Sequence, residues 1–379
     1  MLRITAIGSG AVEYLLRGSG CREHDHAVEK AAGQQGPEYY TAAVEHGEAP
    51  GRWAGSGMEA MGLEFRAGDA VNPDDVRAVF GQLRRPESTE AEPEFLGRRP
   101  AHFRTEAERY NALAAKESGE VTPERERELR SEAATSGRKP VAYYDFTFSA
   151  VKSISVYEAA LRATGQTELA DKVVEAHNRA VQVALEYAES RVIFTRTGSH
   201  ARTVTGNESI GRHEAGTGAV WTVWAHSTSR ENEPQMHTHA ALLNRTVTEA
   251  GKIGALDGAS FRAYKEAIAA AYERATEQFV TEETGALFEL RPDGKAREIV
   301  GIDPEVMAEA STRRGQVTGL VAERVALYRD RHGKEPDAAA MKRITDMAVY
   351  ETRKAKGPES GPAAVARWSE QRTERLAAM

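Results

Sequence analysis

Residues 218–247 read GAVWTVWAHSTSRENEPQMHTHAALLNRTV and give the strongest structural signal in the chain. Two runs rich in β-branched, aromatic and small apolar residues flank a polar stretch, residues 227–235, that contains Pro234. Apolar runs of this composition are typical of strands, and a polar connection of this kind suits two neighbouring antiparallel strands. The segment therefore predicts a β-hairpin.

Three of the 11 histidines lie on this predicted hairpin. His237 and His239 are two positions apart on one strand, so their side chains point to the same face. The hairpin brings His226, near the end of the other strand, opposite them. Three neutral imidazoles that converge from two strands form a divalent-metal site with open coordination positions. Two histidines in this spacing also occur by chance on half-buried strands, so the residues alone leave both interpretations open.

The rest of the chain predicts the remaining sheet and its helices. Residues 141–156, VAYYDFTFSAVKSISV, predict a strand that contains Asp145 and gives way to a helix near Ser149. Helical patterns recur in residues 105–135, 169–190 and 259–285, and again from Pro304 onward. Strands and helices follow one another in mixed order, which favours an α+β fold over a doubly wound one. We expect a central antiparallel sheet flanked by helices.

Two segments are predicted to lie outside this framework. The first 65 residues are rich in Gly and indicate one short strand followed by a long irregular connection. Loops of such length are either functional or disordered. Residues 84–100, RRPESTEAEPEFLGRRP, concentrate Pro, Glu and Arg and predict a surface insertion.

The composition limits the class of protein. With 50 Lys+Arg against 57 Asp+Glu the formal net charge is −7, which by itself argues against nucleic-acid binding. Residues 191–230 nevertheless hold five arginines against two acidic residues, a positive stripe that a solvated strand edge explains equally well. Cys21 is the single cysteine, so any metal must be held by nitrogen and oxygen. No apolar run approaches the ~20 residues of a membrane helix, so we expect a soluble, cytoplasmic protein without a membrane segment.

Three stretches of the sequence carry recognisable motifs, which follow one another along the chain. They are residues 39–63 (YYTAAVEHGEAPGRWAGSGMEAMGL), 145–156 (DFTFSAVKSISV) and 234–244 (PQMHTHAALLN). They resemble the tyrosine segment, the aspartate motif and the histidine motif of conjugative relaxases of the HUH endonuclease class, in particular the TrwC/TraI-like branch. That family usually has Pro where this chain has Val151. The resemblance covers nearly the whole chain.

The resemblance implies one divalent cation, Mg²⁺ or Mn²⁺, bound by His226, His237 and His239. It also implies that Asp145 lies beside them, where it orients a histidine through its second ring nitrogen or accepts a proton from the nucleophile. A carboxylate behind a ligating imidazole fixes its tautomer. A phenol with a pKa of about 10 needs help to ionise at neutral pH.

The nucleophile of the family is a tyrosine. The family commonly carries two nearby pairs of tyrosines, whereas this chain has a lone Tyr14 and, 25 residues later, Tyr39 and Tyr40. Tyr14 matches the first site by its position near the end of the first strand, and Tyr39 and Tyr40 match the second pair by their surrounding residues. We expect Tyr14 to be the first nucleophile, with Tyr39 or Tyr40 as the alternative or the second one.

The resemblance further implies a nickase that cleaves one strand of origin-of-transfer DNA, forms a 5′-phosphotyrosyl adduct and so initiates conjugative transfer. Its partners would be hairpin and single-stranded origin DNA, accessory relaxosome proteins and a coupling protein. We expect residues 1–303 to form the catalytic core and residues 304–379 a helical lid over the bound strand. The 379 residues contain no GxxxxGK[ST] phosphate loop, so we expect the relaxase portion without the family's helicase.

Several side chains near the motifs are candidates for contacts with DNA. Lys152 and Arg230 are placed by sequence to reach phosphates, although ordinary surface cations look the same. Four aromatic residues are either stacking platforms for bases or part of the core: Trp53, Trp221, Trp224 and Phe148. An acidic total is compatible with DNA binding if one basic face surrounds the histidines and the excess acid on residues 105–135 and 168–190 is turned away.

Three alternatives remain open on the sequence. A rolling-circle replication initiator shares the HUH chemistry, but residues 145–156 and the chain length disfavour it. A three-histidine metal enzyme that acts on a small molecule needs no tyrosine. A DNA-binding module without a nucleophile is conceivable because Tyr14 is isolated.

Overall fold

Five strands of the chain form one antiparallel sheet. In spatial order they are β1 (Leu2–Ile7), β3 (Tyr143–Ser149), β7 (Pro234–Leu243), β6 (Trp221–Thr228) and β2 (Arg52–Ala54). They belong to a computed structural model that describes residues 1–8, 48–89, 91–99, 106–117, 122–135, 141–197, 212–352 and 361–379. The sheet and its flanking helices confirm the predicted α+β fold, and β6 and β7 form the hairpin predicted from residues 218–247.

Helices and three small ribbons complete the described part of the chain. The α-helices are α1 (Pro73–Val76), α2 (Glu106–Ala114), α3 (Pro123–Thr135), α4 (Lys152–Ala163), α5 (Thr167–Val192), α6 (Gly258–Thr284), α7 (Pro304–Glu309), α8 (Thr312–His332), α9 (Ala338–Glu351), α10 (Pro362–Glu370) and α11 (Thr373–Ala377). A π-helical turn, Arg77–Gln82, follows α1 directly. The ribbons pair β4 (Phe194–Thr197) with β5 (Arg212–Ala215), β8 (Thr246–Val247) with β9 (Ile253–Gly254), and β10 (Phe288–Leu290) with β11 (Arg297–Ile299).

The back of the sheet is closed by the two long helices α5 and α6. Alternate residues of β7 point towards them, and Met236, Thr238, Ala240 and Leu242 are all buried. Half of the α5 residues in this layer are alanine, which allows the helix to lie close to the sheet. Because burying one large apolar side chain stabilises a fold by about 1.5–3 kcal/mol, this layer determines which face of each strand turns inward.

The front of the sheet is covered over only part of its length. There, residues 58–96 pack against Trp53, Tyr143 and Leu243 in a second buried cluster. That cluster reaches Trp224 on β6 and Ala241 on β7. Beyond these two residues, towards the turn of the hairpin, the front face carries polar side chains instead.

Two predictions for the N-terminal third were incomplete. A second strand, β2, lies within the first 65 residues because Trp53 enters the core opposite Thr222. Residues 84–100 are not only a surface insertion, since Leu96 is fully buried and its N–H donates to the carbonyl of Leu83 at 2.7 Å. Apolar residues isolated within a polar segment gave no periodic signal that would have predicted either contact.

The four aromatic residues that were candidates for base stacking all lie in the core. Trp53, Trp221, Trp224 and Phe148 are each no more than 4% exposed. Trp221 meets the ring of Phe146 edge to face, with centroids 5.1 Å apart. Of the two interpretations of these residues, the structure supports the core role.

Three of the C-terminal helices, α7, α10 and α11, pack against α4. Val306 of α7 and Trp368 of α10 share a buried cluster with Val156 of α4. The division into a core of residues 1–303 and a lid of residues 304–379 stays a prediction. Among the described helices, none combines the length and apolar character needed to cross a membrane.

Candidate metal centre

His226, His237 and His239 lie together on the open part of the front face. His226 and His237 are direct partners in the antiparallel register, and His239 follows two residues further along β7. The ring centroids are 5.1, 5.3 and 5.4 Å apart, which makes a nearly equilateral triangle. One nitrogen of each ring lies within 4.8 Å of the other two, so modest ring rotations bring all three to the ~2 Å distance of a metal ligand.

A β-bulge lies directly beside this triangle. His226 pairs with His237, but Thr228 pairs with Pro234, so Gln235 and Met236 together oppose one residue of β6. A bulge of this kind bends the strand and redirects the next side chain, and bulges are common next to active sites. Here the residue that follows the two bulge residues is His237.

The Nδ1 atom of His237 lies 2.9 Å from the carbonyl oxygen of Gln235, one of the two bulge residues. A carbonyl only accepts, so Nδ1 must carry the proton and donate it. The lone pair of the neutral ring is then on Nε2. The bulge thus fixes the tautomer of His237 as well as its direction.

Asp145 does the same for His239. The Nδ1 atom of His239 lies 2.9 and 3.1 Å from the two carboxylate oxygens of Asp145, which is almost fully buried on β3. Asp145 is the diagonal neighbour of His239, because Thr147 is the residue directly opposite it. The hydroxyl of Thr147 donates to the same carboxylate at 3.3 Å. This geometry matches the first role expected of Asp145, the orientation of a histidine.

The side chains in this group fit a divalent metal ion. Neutral imidazoles are good ligands for first-row divalent metals, and ligating imidazoles normally donate their other N–H to a carbonyl or carboxylate. His237 and His239 each have such an acceptor. Three protein ligands leave coordination positions for substrate oxygens.

Tyr14, Tyr39 and Tyr40 lie outside the described residues, which resume after this segment at Glu48. There the buried carboxylate of Glu48 accepts hydrogen bonds from the backbone N–H of Ser227 at 2.9 Å and from its hydroxyl at 3.0 Å. Ser227 follows His226 directly. The chain therefore returns from the tyrosine segment beside the metal centre. Sequence reasoning missed Glu48, because a single glutamate in a polar segment carries no local signal.

Lys152 and Arg230, the two cations predicted near the site, are both partly buried. The ammonium group of Lys152, at the start of α4, donates to the carbonyl of Pro234 at 2.8 Å and so braces the hairpin. Burial lowers the pKa of Lys152 to about 8, although the carboxylates of Glu233 and Glu298 act in the opposite direction. Arg230 lies in the turn between β6 and β7. Their contact with DNA stays a prediction.

A second polar surface lies at the base of the β4–β5 ribbon. A cavity of about 450 Å³ is lined there by Arg196, Lys252 and Arg262 together with Asp257. Asp257 accepts from Arg196 at 2.6 Å and caps the N-terminus of α6 through the N–H of Ala259. These contacts lower the pKa of the Asp257 carboxyl despite its burial. Arg196 belongs to the arginine stripe noted in the sequence.

An antiparallel sheet that carries three converging histidines, with a carboxylate behind one of them, has the ligand set of a divalent-metal site. The chain belongs to the TrwC relaxase family, whose model matches residues 9–375.

The chain is similar to proteins of conjugation. The multifunctional conjugation protein TraI of Escherichia coli (strain K12) is 35% identical over 106 residues, which are 27% of this chain and 5% of TraI. A second TraI from Escherichia coli is 27% identical over 226 residues, 58% of this chain and 9% of that protein. Each match therefore spans less than a tenth of the relative's length.

Solved structures of the conjugative relaxase TrwC share the fold. A metal-bound complex of TrwC with oriT DNA has a TM-score of 0.62 at 21% identity, over 99% of this chain and 98% of that one. A copper-bound complex with oriT DNA has a TM-score of 0.63 at 21% identity and the same coverage. The agreement thus extends over the whole length of both chains.

Proposed function

We propose that this chain nicks one strand of origin-of-transfer DNA through a tyrosine and retains the 5′ end as a phosphotyrosyl adduct, which initiates conjugative transfer. One observation carries the proposal: the three-histidine centre lies next to Glu48, where the tyrosine segment rejoins the fold. Membership of the TrwC relaxase family and the likeness to TrwC bound to oriT DNA support it.

His226, His237 and His239 would hold the metal ion, and Asp145 would keep the Nδ1 proton of His239 in place. When bound there, the ion would supply charge stabilisation to the non-bridging oxygens of the scissile phosphate. The tyrosine Oη forms a bond to phosphorus in line while the bond from phosphorus to the 3′ oxygen breaks. The phenol proton is lost and the 3′ oxygen gains one, so the products are the adduct and a 3′-hydroxyl. The adduct retains the phosphodiester bond energy, so a 3′-hydroxyl can later reverse the step.

Tyr14 is the proposed first nucleophile, and Tyr39 or Tyr40 the second or the alternative. Chain length permits each of them to reach the histidines. Tyr14 is seven residues beyond β1, and Tyr40 is eight residues before Glu48. Seven or eight extended residues span up to about 25 Å.

The proposed metal is Mg²⁺ or Mn²⁺, and the ligands favour Mn²⁺ of the two. Mg²⁺ prefers oxygen ligands and keeps several waters, whereas imidazole binds the first-row transition metals more strongly. The three ligands here are all nitrogens, and the nearby carboxylate of Asp145 is occupied by His239.

The DNA is proposed to cross the front of the sheet, where several cations can meet phosphates. Arg3 of β1 is exposed and lies in the same cross-strand row as Thr147 and His239. Lys152 and Arg230 lie at the hairpin end of this face. The helix α5, one of the two predicted to carry excess acid, packs behind the sheet. This arrangement supports a basic front face for hairpin and single-stranded origin DNA.

The remaining assignments follow the family and are also proposals. Residues 304–379 would close over the bound strand as a lid on the core of residues 1–303. Accessory relaxosome proteins and a coupling protein would assemble with the chain in the bacterial cytoplasm.

Adduct formation tests the proposed activity. Labelled single-stranded oligonucleotides that tile the DNA flanking the gene are incubated with the protein and Mn²⁺ or Mg²⁺, then separated on a denaturing gel. We expect an SDS-resistant adduct with one oligonucleotide and its loss in Tyr14→Phe. Metal binding without any adduct would favour the small-molecule metal enzyme or the DNA-binding module. An adduct that survives Tyr14→Phe but not Tyr39→Phe or Tyr40→Phe would overturn the choice of nucleophile.

A further inference from the structure

A buried hydrogen-bonded network of three polar side chains lies behind β7, the strand that carries His237 and His239. The Nε2 atom of His177 on α5 is 2.9 Å from the hydroxyl of Thr238 on β7. Its Nδ1 atom is 2.9 Å from the hydroxyl of Tyr272 on α6. Each of the three residues is only 1% exposed. The three side chains thus link both back helices to one residue of the sheet.

The side chains packed around Thr238 and His177 include several apolar ones, although the N-terminal ammonium group acts on His177 from further away. Phe148 is the β3 partner of Thr238, and its ring centroid is 5.2 Å from that of Tyr272. Ala176 precedes His177 and is fully buried. Polar groups are costly in such a place unless each finds a hydrogen-bond partner, and apolar residues of the same size would fill the space without that cost. Packing alone therefore gives no reason for a histidine at this position.

The position of Thr238 supplies a reason. Thr238 is the single residue between His237 and His239, so when it points backwards they must both point forwards. A shift of β7 by one residue would turn the histidines into the core and put His237 or His239 in the place of Thr238, against His177.

We propose that His177 is a positioning residue of the metal centre, which fixes the rotation and register of β7 through its hydrogen bond to Thr238. The assignment rests on the proposed metal centre and concerns how its ligands are aimed. Burial lowers the pKa of His177 to about 3, so the imidazole is neutral near pH 7. A neutral ring has one donor and one acceptor nitrogen, which is the pair needed to bond two hydroxyls at once.

A second bond holds the strand on the other side of His237. The backbone N–H of Met236 donates to the buried hydroxyl of Ser155 on α4 at 2.9 Å. The residues before and after His237 are therefore each bonded to a different helix. A ligand held in this way keeps its position to a few tenths of an ångström, which metal sites require.

Four variants test the proposal, with Mn²⁺ affinity and thermal unfolding measured on each. His177→Leu and Thr238→Val each leave a polar partner buried without its bond, so both lower Tm and weaken Mn²⁺ binding about tenfold. In the His177→Leu/Thr238→Val double variant that bond is removed from both sides, so Tm recovers part of its loss while Mn²⁺ binding stays weak. His177→Gln, which retains a donor and an acceptor, binds Mn²⁺ within about twofold of wild type.

Leu185→Ala is the matched control, since Leu185 is buried on the same helix two turns away from His177. It lowers Tm but leaves Mn²⁺ affinity unchanged. Mn²⁺ affinity that simply follows Tm through all five variants overturns the proposal, as does wild-type affinity in His177→Leu. A wild-type chain that binds no Mn²⁺ contradicts the metal centre itself and the positioning role with it. A chain that binds Mn²⁺ but forms no adduct contradicts only the proposed nicking activity.

Discussion

His237 and His239, on the front of β7, differ in their surroundings from His177, which lies behind that strand. His237 and His239 are partly exposed, and each has its Nδ1 atom held by one acceptor. His177 is fully buried, and both of its nitrogens bond hydroxyl groups. A histidine is suited to bind a metal when one nitrogen is fixed and the other faces an open space. It is suited to a structural role when both nitrogens are satisfied inside the core.

Loss of one histidine of the proposed metal centre is expected to reduce Mn²⁺ binding and adduct formation more than any other change considered. His239→Ala removes one ligand, so Mn²⁺ binding weakens and adduct formation slows by about 10³-fold or more, because a metal supplies several kcal/mol of transition-state stabilisation. The variant also removes the imidazole donor from the almost fully buried carboxylate of Asp145, so the metal-free protein should unfold at a lower temperature than wild type. Gel-based adduct rates and thermal unfolding measure the two effects.

His177→Gln is the matched control behind the strand, and it should keep the adduct rate within about threefold of wild type. Equal adduct rates in His239→Ala and wild type would contradict the metal centre.

The sequence was sufficient to predict that the three histidines on the front of the sheet lie together, but it did not predict His177 behind it. His226, His237 and His239 were brought together by the strand periodicity of two and by the hairpin, while their role as metal ligands stays a prediction. The fold class followed from the order of strands and helices.

His177 could not be predicted in the same way. It lies within a helical pattern, and only tertiary packing determines which strand residue it meets. The bulge at Gln235 and Met236 and the contact of Glu48 with Ser227 depend likewise on register and chain path, which leave no local pattern.

His177, behind the sheet, is expected to make the free energy of unfolding depend on pH in the acid range. The pKa of His177 is about 3 in the folded chain because of burial, against an ordinary value of 6.5. Between these values the unfolded state binds a proton that the folded state does not, so the free energy of unfolding falls as the pH decreases from 6.5 towards 3. At pH 4.5 this group alone accounts for about 2–3 kcal/mol.

Urea unfolding at pH 6.5 and pH 4.5 measures this loss in wild type and in His177→Gln. The variant has no ionisable group at the position, so its loss should be smaller by about that amount. An identical loss in both proteins would show that His177 does not titrate below its ordinary pKa.

Asp145→Asn tests the acceptor that fixes one front histidine. The amide retains the shape of the carboxylate but not its charge, so Mn²⁺ affinity should fall by about tenfold or more. Thr147→Val is the control, because its hydroxyl is only a 3.3 Å neighbour of the carboxylate, and it should change affinity by less than about twofold. Mn²⁺ titration by electron paramagnetic resonance gives both values.

The same variant separates the two roles considered for Asp145. If Asp145 only orients His239, saturating Mn²⁺ should restore the adduct rate of Asp145→Asn. If it also accepts the proton of the nucleophile, the rate stays low at saturating metal and recovers as the pH is raised.

The smallest effect is expected at Glu48, whose carboxylate bonds Ser227, the residue after His226. Glu48→Gln weakens these two hydrogen bonds by removing their charge, so residue 48 is held less firmly beside the histidines. We expect adduct formation to slow by about fivefold while Mn²⁺ affinity is unchanged, because the histidines keep their own acceptors. Glu59→Gln, at an exposed acid in the same part of the chain, should leave both quantities unchanged. A loss of Mn²⁺ affinity in Glu48→Gln would mean instead that the carboxylate supports His226 through its neighbour Ser227.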